Sequence, residues 1–358
     1  MIANGGGACQ VSRGGGAFLW LDLPASHRRA VPAQSDSGAA RGRRRYNGFL
    51  IVTLTINPAI DRTITVDRLA FEDRAYILSS HESPGGRGIN AACVVHSFGG
   101  PTLAVLTSGG ENGKRLEGHL RCCGFPVAVV PIRNEIRANL TITDKHGLTV
   151  NLNEAGPRME KGEVAALEKA VRAHLDRADW LMVCGSIPPG VPPGLYGRLI
   201  GMARQKKVKT LLDADGDALR EGVEAKPTVV TPNQQEAERL LSRALLTRAH
   251  FLEAAERIRA MGAETVVLSL GSRGAVAAAS AGMLEAVPPR VDAVCPIGSG
   301  DAMAAAYTWA MTRKSDTADA LRWGVAAGTA SARLPGMRFA TLPQSEEIYR
   351  QVEVRRVE

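Results

Sequence analysis

Residues 298–301, with the sequence Gly-Ser-Gly-Asp, combine a glycine turn with a single carboxylate. The β-branched stretch 291–294 precedes this turn and an alanine-rich run follows it, so we predict a strand, a turn and a helix start. Free backbone N–H groups at such a start bind anions, and Gly298 and Gly300 leave room for a ligand. Asp301 would repel an anion, so its presence is explained if it removes a proton from an attacking hydroxyl. The alternative is a common loop in which Asp301 caps the helix.

Further candidate ligand-binding residues follow the first predicted strand. The run FLIVTLTINPAI, which begins at Phe49, is β-branched and typical of a buried strand. Asp61 comes directly after it, where a carboxylate can accept sugar hydroxyls or can serve only as a turn residue. The loop SPGGRGIN, residues 83–90, places three glycines and Asn90 at a helix start. A ligand can again approach the backbone there.

The periodicity after residue 160 predicts alternating helices and strands, and therefore an α/β fold. A helix at about 160–177 precedes the strand-like runs DWLMVCGS, VKTLLDAD and ETVVLSLG. Strands that alternate with helices imply a parallel sheet with helices on both faces. Ligands of such sheets bind at the carboxyl ends of the strands. Nearly every motif above lies at one of those ends, which predicts an active site there.

Two segments outside this pattern predict a small second sheet. Residues 62–80 and 136–153 alternate between apolar and polar side chains, and the second segment has the form of a hairpin around 144–147. The main sheet is already covered by helices, so these strands have no obvious place on it. We predict that they form a lid, and that the lid pairs with its copy in a second subunit to make a homodimer.

Length and composition exclude several classes of protein. The 358 residues suffice for one large domain with a smaller appendage, and no run approaches the roughly 18 apolar residues of a membrane span. The Arg- and Gly-rich segment 1–47 holds seven arginines against two aspartates and carries most of the net charge of +8. We expect a disordered tail there and no nucleic-acid partner. The six cysteines show no metal-binding spacing and indicate reduced thiols in a cytoplasmic protein.

Eight stretches, in one order, carry a resemblance to a known family. They are TLTINPAID, PGGRGIN, CGSIPPGVP, LLDADGDAL, KPTVVTPNQQE, VVLSLGSRGA, IGSGDAM and WGVAAGTAS. With them the sequence resembles the ribokinase-like (PfkB) carbohydrate kinases, in the branch of phosphofructokinase-B, 1-phosphofructokinase and tagatose-6-phosphate kinase. The resemblance covers about residues 49–353. It implies a ribokinase-like three-layer α/β/α domain, at 48–355, with a mainly parallel sheet and a small β-sheet lid.

The resemblance also implies an activity, which is phosphoryl transfer from Mg-ATP to a ketohexose phosphate. The substrate would be fructose 6-phosphate or fructose 1-phosphate and the product fructose 1,6-bisphosphate. Asp301 would be the base, and the N–H groups of Gly298, Ser299 and Gly300 would stabilise the transferring phosphoryl group. The other residues implied are Asn233, Ser269, Gly271 and Gly274 for ATP, Asn233 and Glu236 for magnesium through water, and Asp61, Gly86, Arg87, Asn90, Arg137 and Asn139 for the sugar. Asn233 and Glu236 match an N-x-x-E motif, and a helix cap is the alternative role of Asn233.

Arginines on the predicted sugar side of the cleft point to a phosphorylated substrate, because each can form a charge-assisted bidentate contact with phosphate. Arg74 is our candidate for that contact beside Arg87 and Arg137, and a solvated surface charge is its alternative. Arg87 stands where the family commonly has lysine or glycine, and Pro296 stands where threonine is usual. These two departures leave the identity of the substrate open.

Two other functions remain open on the sequence alone. One is a kinase for an unphosphorylated sugar or a nucleoside on the same fold. The other is a catalytically weak ligand-binding homologue, which the departures at Arg87 and Pro296 keep possible. Asp301, Asn233 and Glu236 argue against the second alternative, because packing requires none of them and a decayed enzyme would be expected to lose at least one.

Overall fold

Two β-sheets organise the chain in the computed structural model, which describes residues 49–70 and 72–357. The predicted tail, 1–47, lies outside these residues. Numbered along the chain, the strands are β1 (Ile51–Thr55), β2 (Ala59–Val66), β3 (Ile77–Gly85), β4 (Thr102–Ser108), β5 (Val127–Pro131), β6 (Arg137–Asp144), β7 (Thr149–Asn153), β8 (Trp180–Cys184), β9 (Lys209–Asp213), β10 (Val229–Val230), β11 (Thr265–Ser269), β12 (Ala275–Ala279), β13 (Gly282–Val287) and β14 (Glu353–Val357).

Helices connect most of these strands. They are α1 (Arg87–Ser97), α2 (Gly110–Leu120), α3 (Lys161–Leu175), α4 (Leu195–Gln205), α5 (Gly216–Glu224), α6 (Gln234–Leu241), α7 (Arg248–Ala260), α8 (Ser299–Thr312), α9 (Thr317–Ala332) and α10 (Leu342–Tyr349), with a short 3-10 helix at Gly271–Arg273. Within the described residues, no helix combines the length and the apolar composition that crossing a membrane requires.

The larger sheet has the order β14-β13-β12-β11-β10-β9-β8-β1-β4-β5 among the described strands. Its strands from β11 to β5 are parallel, and β12, β13 and β14 add an antiparallel edge. Every residue of β1 and β8 is buried. Because successive side chains of a strand point to opposite faces, both faces of the sheet are covered, as in a three-layer α/β/α domain. The predicted fold class, with a mainly parallel sheet, is confirmed.

The smaller sheet has the order β3-β2-β6-β7 and confirms the predicted separate sheet. The segment predicted at 62–80 divides into the end of β2, a loop and the start of β3, and the two strands pair antiparallel. The segment predicted at 136–153 is the β6–β7 hairpin. Only three residues lie between the end of β1 and the start of β2, so the lid starts directly at the carboxyl edge of the larger sheet.

Close packing between α8 and α9 fixes the start of α8. A side-chain carbon at Gly328 would lie 2.9 Å from the carbonyl oxygen of Ser299, and one at Gly324 would lie 3.0 Å from that of Met303. Glycine at these two positions therefore lets α9 approach the first turns of α8. The stretch WGVAAGTAS, singled out in the sequence, thus has a structural role in holding the helix start in place.

One expected element is absent from the described residues: the stretch 291–294 does not form a strand. The N–H groups of Val294 and Cys295 instead donate to the carbonyl oxygen of Ala332, at the end of α9. Prolines at 288, 289 and 296 flank the stretch, and proline cannot donate to a strand ladder. The β-branched composition predicted a strand, but the flanking prolines and the end of α9 determine its conformation.

Candidate active site

The carboxyl ends of the central strands open into a small polar cavity of about 210 Å³. It lies where β1, β8 and β9 end and where the smaller sheet crosses over them. The residues that line it are Thr55, Asn57, Gly86, Arg87, Arg137, Asn139, Asn153, Cys184, Gly185, Ser186 and Asp215. Parallel strands place their carboxyl ends at one edge of the sheet, which explains why residues far apart in the chain meet here.

Asn139, which lines the cavity, is paired with Asp61 behind it. They are paired in register between β2 and β6, and the side-chain amide of Asn139 donates to Asp61 Oδ1 at 2.7 Å. Burial raises the pKa of Asp61. A side-chain carbon at Gly85 would lie 2.2 Å from Asp61 Oδ2, so glycine at that position leaves the carboxylate its space. The pair presents both a carboxylate and an amide, which suit sugar hydroxyls.

Several buried polar atoms around the cavity have no partner among the described residues. They are Thr55 Oγ1, Asn57 Oδ1, Asn139 Oδ1 and Arg137 Nε. Buried polar groups in native proteins are nearly always hydrogen-bonded, so a cluster of free ones indicates the position of a polar ligand. Arg137 is anchored at its other end, where Nη1 donates to the carbonyl oxygen of Glu154 at 2.9 Å.

Arg87, the first residue of α1, links three carboxylates. Its Nη1 lies 2.9 Å from Asp213 Oδ1, and its Nη2 lies 2.9 Å from Glu236 Oε1 and 3.6 Å from Asp215 Oδ2. The charge of Asp213 is the main cause that raises the pKa of Arg87 above its ordinary value. Gly86, immediately before it, has a φ of 127°, a conformation that favours glycine. The residues predicted for the sugar and for magnesium are therefore directly connected.

Asp301 lies in the first turn of α8 and is hydrogen-bonded to α1. The side-chain amide of Asn90 donates to Asp301 Oδ2 at 2.7 Å. Burial is the main cause that raises the pKa of Asp301 to about 7, and the negative charge of Asp213 adds to it. Asp301 does not cap the helix, because the N-cap residue is Gly298, with a φ of 80°. A carboxyl group that titrates near neutral pH is suited to proton transfer.

A larger cleft of about 950 Å³ adjoins the start of α8. Its lining is more apolar than that of the small cavity and includes Ser299, Gly300, Met303, Val325 and Thr329. The predicted nucleotide residues Ser269, Gly271 and Gly274 line it as well. Gly271 and Gly274 have φ values of 62° and 89°, a backbone conformation that favours glycine.

The three backbone donors predicted at the start of α8 are not equivalent. The N–H group of Ser299 donates to the carbonyl oxygen of Pro296 at 3.2 Å. The N–H groups of Gly298 and Gly300 have no backbone acceptor among the described residues. The carbonyl group of Pro296 therefore accepts the hydrogen bond that closes a turn before the helix. The N–H groups of Gly298 and Gly300 remain available to an anion.

Asn233 and Glu236 form a reciprocal cap at the start of α6. Asn233 Oδ1 accepts from the N–H group of Glu236 at 2.9 Å, and Glu236 Oε2 accepts from the N–H group of Asn233 at 2.9 Å. The helix-cap role of Asn233 is thus confirmed. Asn233 also forms an isolated parallel β-bridge with Ser269 at the end of β11. Because Ser269 lines the larger cleft, this contact brings the N-x-x-E motif to its edge.

The donor set around Glu236 fits a magnesium ion held largely through water. Glu236, Asp213 and Asp215 offer carboxylate oxygens, the donors that this ion prefers. No group of three or more His, Cys, Asp or Glu within the described chain is arranged to hold a metal directly. Magnesium commonly uses one or two carboxylates together with water and substrate phosphates, and this arrangement meets that requirement.

Arg74 is the one predicted site residue that the structure places apart from both clefts. It lies in the exposed loop between β2 and β3, where its N–H group donates to Asp73 Oδ1 at 2.7 Å. The sequence reasoning missed other residues that line the small cavity or bind Arg87, namely Thr55, Asn57, Asn153, Ser186, Asp213 and Asp215. Five of them, Thr55, Asn57, Ser186, Asp213 and Asp215, are polar side chains at or just past the end of a buried strand, the signal that had identified Asp61.

Two clefts lie near the buried carboxyl group of Asp301, which directly follows Ser299 and Gly300 in the lining of the larger one, and clefts at the carboxyl ends of parallel strands are typical of α/β enzymes. The profile of the pfkB family carbohydrate kinases matches residues 51–344. The chain therefore belongs to the pfkB family of carbohydrate kinases and is a phosphotransferase, which confirms the resemblance seen in the sequence.

Relatives and solved structures agree with this assignment. ATP-dependent 6-phosphofructokinase isozyme 2 of Escherichia coli (strain K12) is 30% identical over 302 residues, which cover 84% of this chain and 97% of the relative. The 1-phosphofructokinase of Vibrio cholerae serotype O1 is 25% identical over 85% of this chain and 96% of its own length. The crystal structure of E. coli phosphofructokinase-2 in complex with fructose-6-phosphate has a TM-score of 0.78 at 30% identity, and the match covers 84% of this chain and 98% of that one.

Proposed function

We propose that this chain transfers the γ-phosphoryl group of ATP to a hydroxyl group of a ketohexose phosphate. The substrate is fructose 6-phosphate or fructose 1-phosphate, and the product is fructose 1,6-bisphosphate. The observation that carries the proposal is the position of Asp301. It is hydrogen-bonded to Asn90, one helical turn after Arg87 of the small cavity, and it follows two residues that line the larger cleft. The names of the relatives, a 6-phosphofructokinase and a 1-phosphofructokinase, support this class of substrate.

In the proposed mechanism, the small cavity binds the sugar phosphate. Asp61 accepts hydrogen bonds from its hydroxyl groups, and the amide of Asn139 exchanges hydrogen bonds with them. Arg137 binds its phosphate through the Nε atom that lacks a partner. Gly86, Arg87 and Asn90 complete the sugar side. Holding the acceptor hydroxyl close to Asp301 makes the reaction effectively unimolecular, which is a large part of catalysis in phosphoryl transfer.

The chemical step moves one proton and one phosphoryl group. Asp301 takes the proton of the acceptor hydroxyl, the resulting oxygen forms a bond to the γ-phosphorus, and the bond from that phosphorus to ADP breaks. The N–H groups of Gly298 and Gly300, at the start of α8, stabilise the negative charge on the transferring group. The N–H group of Ser299 joins them once it leaves the Pro296 carbonyl.

The larger cleft binds ATP in this proposal. Ser269, Gly271 and Gly274 run along the nucleotide, and Asn233 adjoins them. Magnesium bound to the phosphates would neutralise part of their charge, and Asn233 and Glu236 would hold its water ligands. Arg87 links Glu236 to the sugar side, so that both substrates contact one connected set of charges.

We further propose that the lid sheet joins two copies of the chain into a homodimer. Val150 and Leu152 on β7 pair in register with Ile142 and Leu140 on β6, so four apolar side chains share one face of the sheet. Val150 is 37% exposed and Leu152 is 50% exposed. We also propose a cytoplasmic location, in keeping with the five free cysteines of the described residues.

A coupled assay of ADP release tests the proposed function. It compares fructose 6-phosphate, fructose 1-phosphate, tagatose 6-phosphate and free fructose as acceptors. We expect turnover with a ketohexose phosphate, and Asp301→Asn should lower kcat by a factor on the order of 10²–10⁴ because the general base is lost. ATP binding by the variant should stay nearly intact.

If Asp301→Asn keeps a third of the wild-type kcat, Asp301 is not the general base. Activity on free fructose alone would support a plain sugar kinase instead, and ATP binding without turnover on any of the four acceptors would support the ligand-binding alternative.

A further inference from the structure

Two cysteines outside both clefts, Cys93 and Cys123, interact with each other: each is the main cause of the shift in the other's pKa. Cys93 is on α1 and only 6% exposed, whereas Cys123 lies in the turn after α2 and is partly exposed. Cys123 Sγ donates to the carbonyl oxygen of His119 at 3.6 Å. About 30 residues separate the two cysteines, which is why no short cysteine motif reveals the pair.

The turn that carries Cys123 is seated against α1 by its next two residues as well. A side-chain carbon at Gly124 would lie 3.1 Å from His96 Nε2, and Gly124 has a φ of 80°. The ring of Phe125 then packs edge-on against His96, with 5.7 Å between the ring centres. His96 lies one helical turn after Cys93 on α1, so these contacts seat the turn that carries Cys123 against the face of α1 that holds Cys93.

The two thiols differ in a way that suits thiol–disulfide exchange. The interaction with Cys123, together with burial, raises the pKa of Cys93, while the interaction with Cys93 lowers the pKa of Cys123. The thiolate is the attacking form of cysteine, and the thiol that is easier to deprotonate here is also the more exposed one. Attack therefore begins at Cys123, and Cys93 is in position to complete the exchange.

We propose that Cys93 and Cys123 form a redox-active dithiol site, which a low-molecular-weight disulfide converts into an intramolecular disulfide bond. The thiolate of Cys123 attacks one sulfur of the small disulfide, forms a mixed disulfide and releases one small thiolate. The sulfur of Cys93 then loses its proton to that thiolate or to water and attacks Cys123 Sγ, which releases the second small thiol. The protein loses two electrons and two protons, and the small disulfide is reduced to two thiols.

The cross-link joins α1 to the turn after α2 and leaves the candidate active site in place. The side chains of α1 from Ile89 to Val95 are all buried, whereas Arg121 and Cys122 are exposed. Closing the sulfur–sulfur contact to about 2.05 Å therefore displaces the turn and not the helix. The Asn90–Asp301 hydrogen bond, one turn earlier on α1, is kept. We expect the bond to raise thermal stability and to leave kcat within about twofold of the reduced enzyme.

Peptide mapping of the full chain, treated with oxidised glutathione, tests the link directly. Trypsin separates Cys93, in peptide 88–114, from Cys122 and Cys123, which share peptide 122–133. We expect these two peptides to be joined after non-reducing digestion. The join should persist in Cys122→Ser, the matched control at the neighbouring exposed cysteine, and disappear in Cys123→Ser and Cys93→Ser.

Thermal unfolding supplies the second measurement. Closing a loop of about 30 residues should raise the Tm by about 5 °C for a domain of this size. The rise should occur in the wild type and in Cys122→Ser and should be lost in Cys123→Ser, a nearly isosteric change at a partly exposed position that keeps the fold. A disulfide confined to peptide 122–133, glutathione left as a mixed disulfide on Cys123, or a kcat that falls more than tenfold on oxidation would overturn the proposal.

Discussion

Arg87 stands where the resemblance led us to expect lysine or glycine, and its contacts explain what arginine adds. A guanidinium group presents several donors in a planar fork, and here two of its nitrogens contact Asp213 and Glu236 separately at 2.9 Å each. Lysine, as a compact point charge, could not hold both in the same way. The positive charge of Arg87 thus offsets the repulsion between two buried carboxylates, and its contacts connect the predicted sugar side with the N-x-x-E motif.

Asp301 gives a prediction of pH dependence. Its pKa of about 7 means that the carboxyl group is partly protonated near neutral pH. A general base works only when deprotonated, so kcat/KM should fall about tenfold per pH unit below the pKa and level off above it. The negative charge of Asp213 is one cause of the raised pKa, and we expect Asp213→Asn to move the midpoint to lower pH.

The informative measurement is the comparison between the pH profiles of the wild type and of Asp213→Asn. Sugar phosphates and ATP titrate in a nearby range themselves, but their contribution is the same for the wild type and for the variant. A shift of the midpoint between them therefore reports the enzyme. Identical profiles for wild type and Asp213→Asn would show that the group titrating in the rate is not Asp301.

At the scale of elements, the sequence predicted the order of strands and helices well where the pattern was local. The helix at 160–177, found as α3, and the hairpin at 136–153 follow from periodicity and turn residues alone. The ion pairs of Arg87 could not be predicted, because they join residues 126 and 149 positions apart in the chain. The prediction of a strand at 291–294 was wrong for a related reason, because N–H groups at the end of this stretch donate to the distant end of α9.

The lid gives a prediction about assembly. Exposed apolar side chains on one face of a four-stranded sheet favour burial against a second copy, and each fully buried leucine contributes about 1.5–3 kcal/mol. We expect a dimer in sedimentation at micromolar concentration. Leu152→Asp should convert it to a monomer, because a charge at that face would lose its hydration in the interface.

Leu246→Asp is the matched control for this experiment. Leu246 is 76% exposed and lies between α6 and α7, outside the lid. The same substitution there should leave the dimer unchanged. A wild-type chain that sediments as a stable monomer at micromolar concentration would exclude the lid as a dimer interface.

At the scale of the whole molecule, the fold builds the two clefts from different elements, and in the proposed function this keeps the charges of the two substrates apart. The larger sheet places the start of α8 and the glycine loop after β11 around the larger cleft, and the smaller sheet brings Asn139 and Arg137 over the small cavity. Of the three arginines predicted for the substrate phosphate, Arg87 is committed to carboxylates and Arg74 lies on an exposed loop. Arg137 is the one that has a buried N–H group without an acceptor at the cavity.

Arg137 therefore gives a prediction about substrate choice. A phosphate offers its guanidinium a charge-assisted partner worth about 1.5–3 kcal/mol per contact, whereas a free sugar leaves the buried donor unpaired. We expect kcat/KM for a ketohexose phosphate to exceed that for free fructose by at least about two orders of magnitude. Arg137→Ala should narrow this gap by about tenfold or more, mainly through KM, because phosphate is held equally in the ground and transition states. Arg74→Ala, the control on the exposed loop, should leave the ratio of the two kcat/KM values unchanged. Equal activity of the wild type on fructose and its phosphates would contradict the proposed role of Arg137.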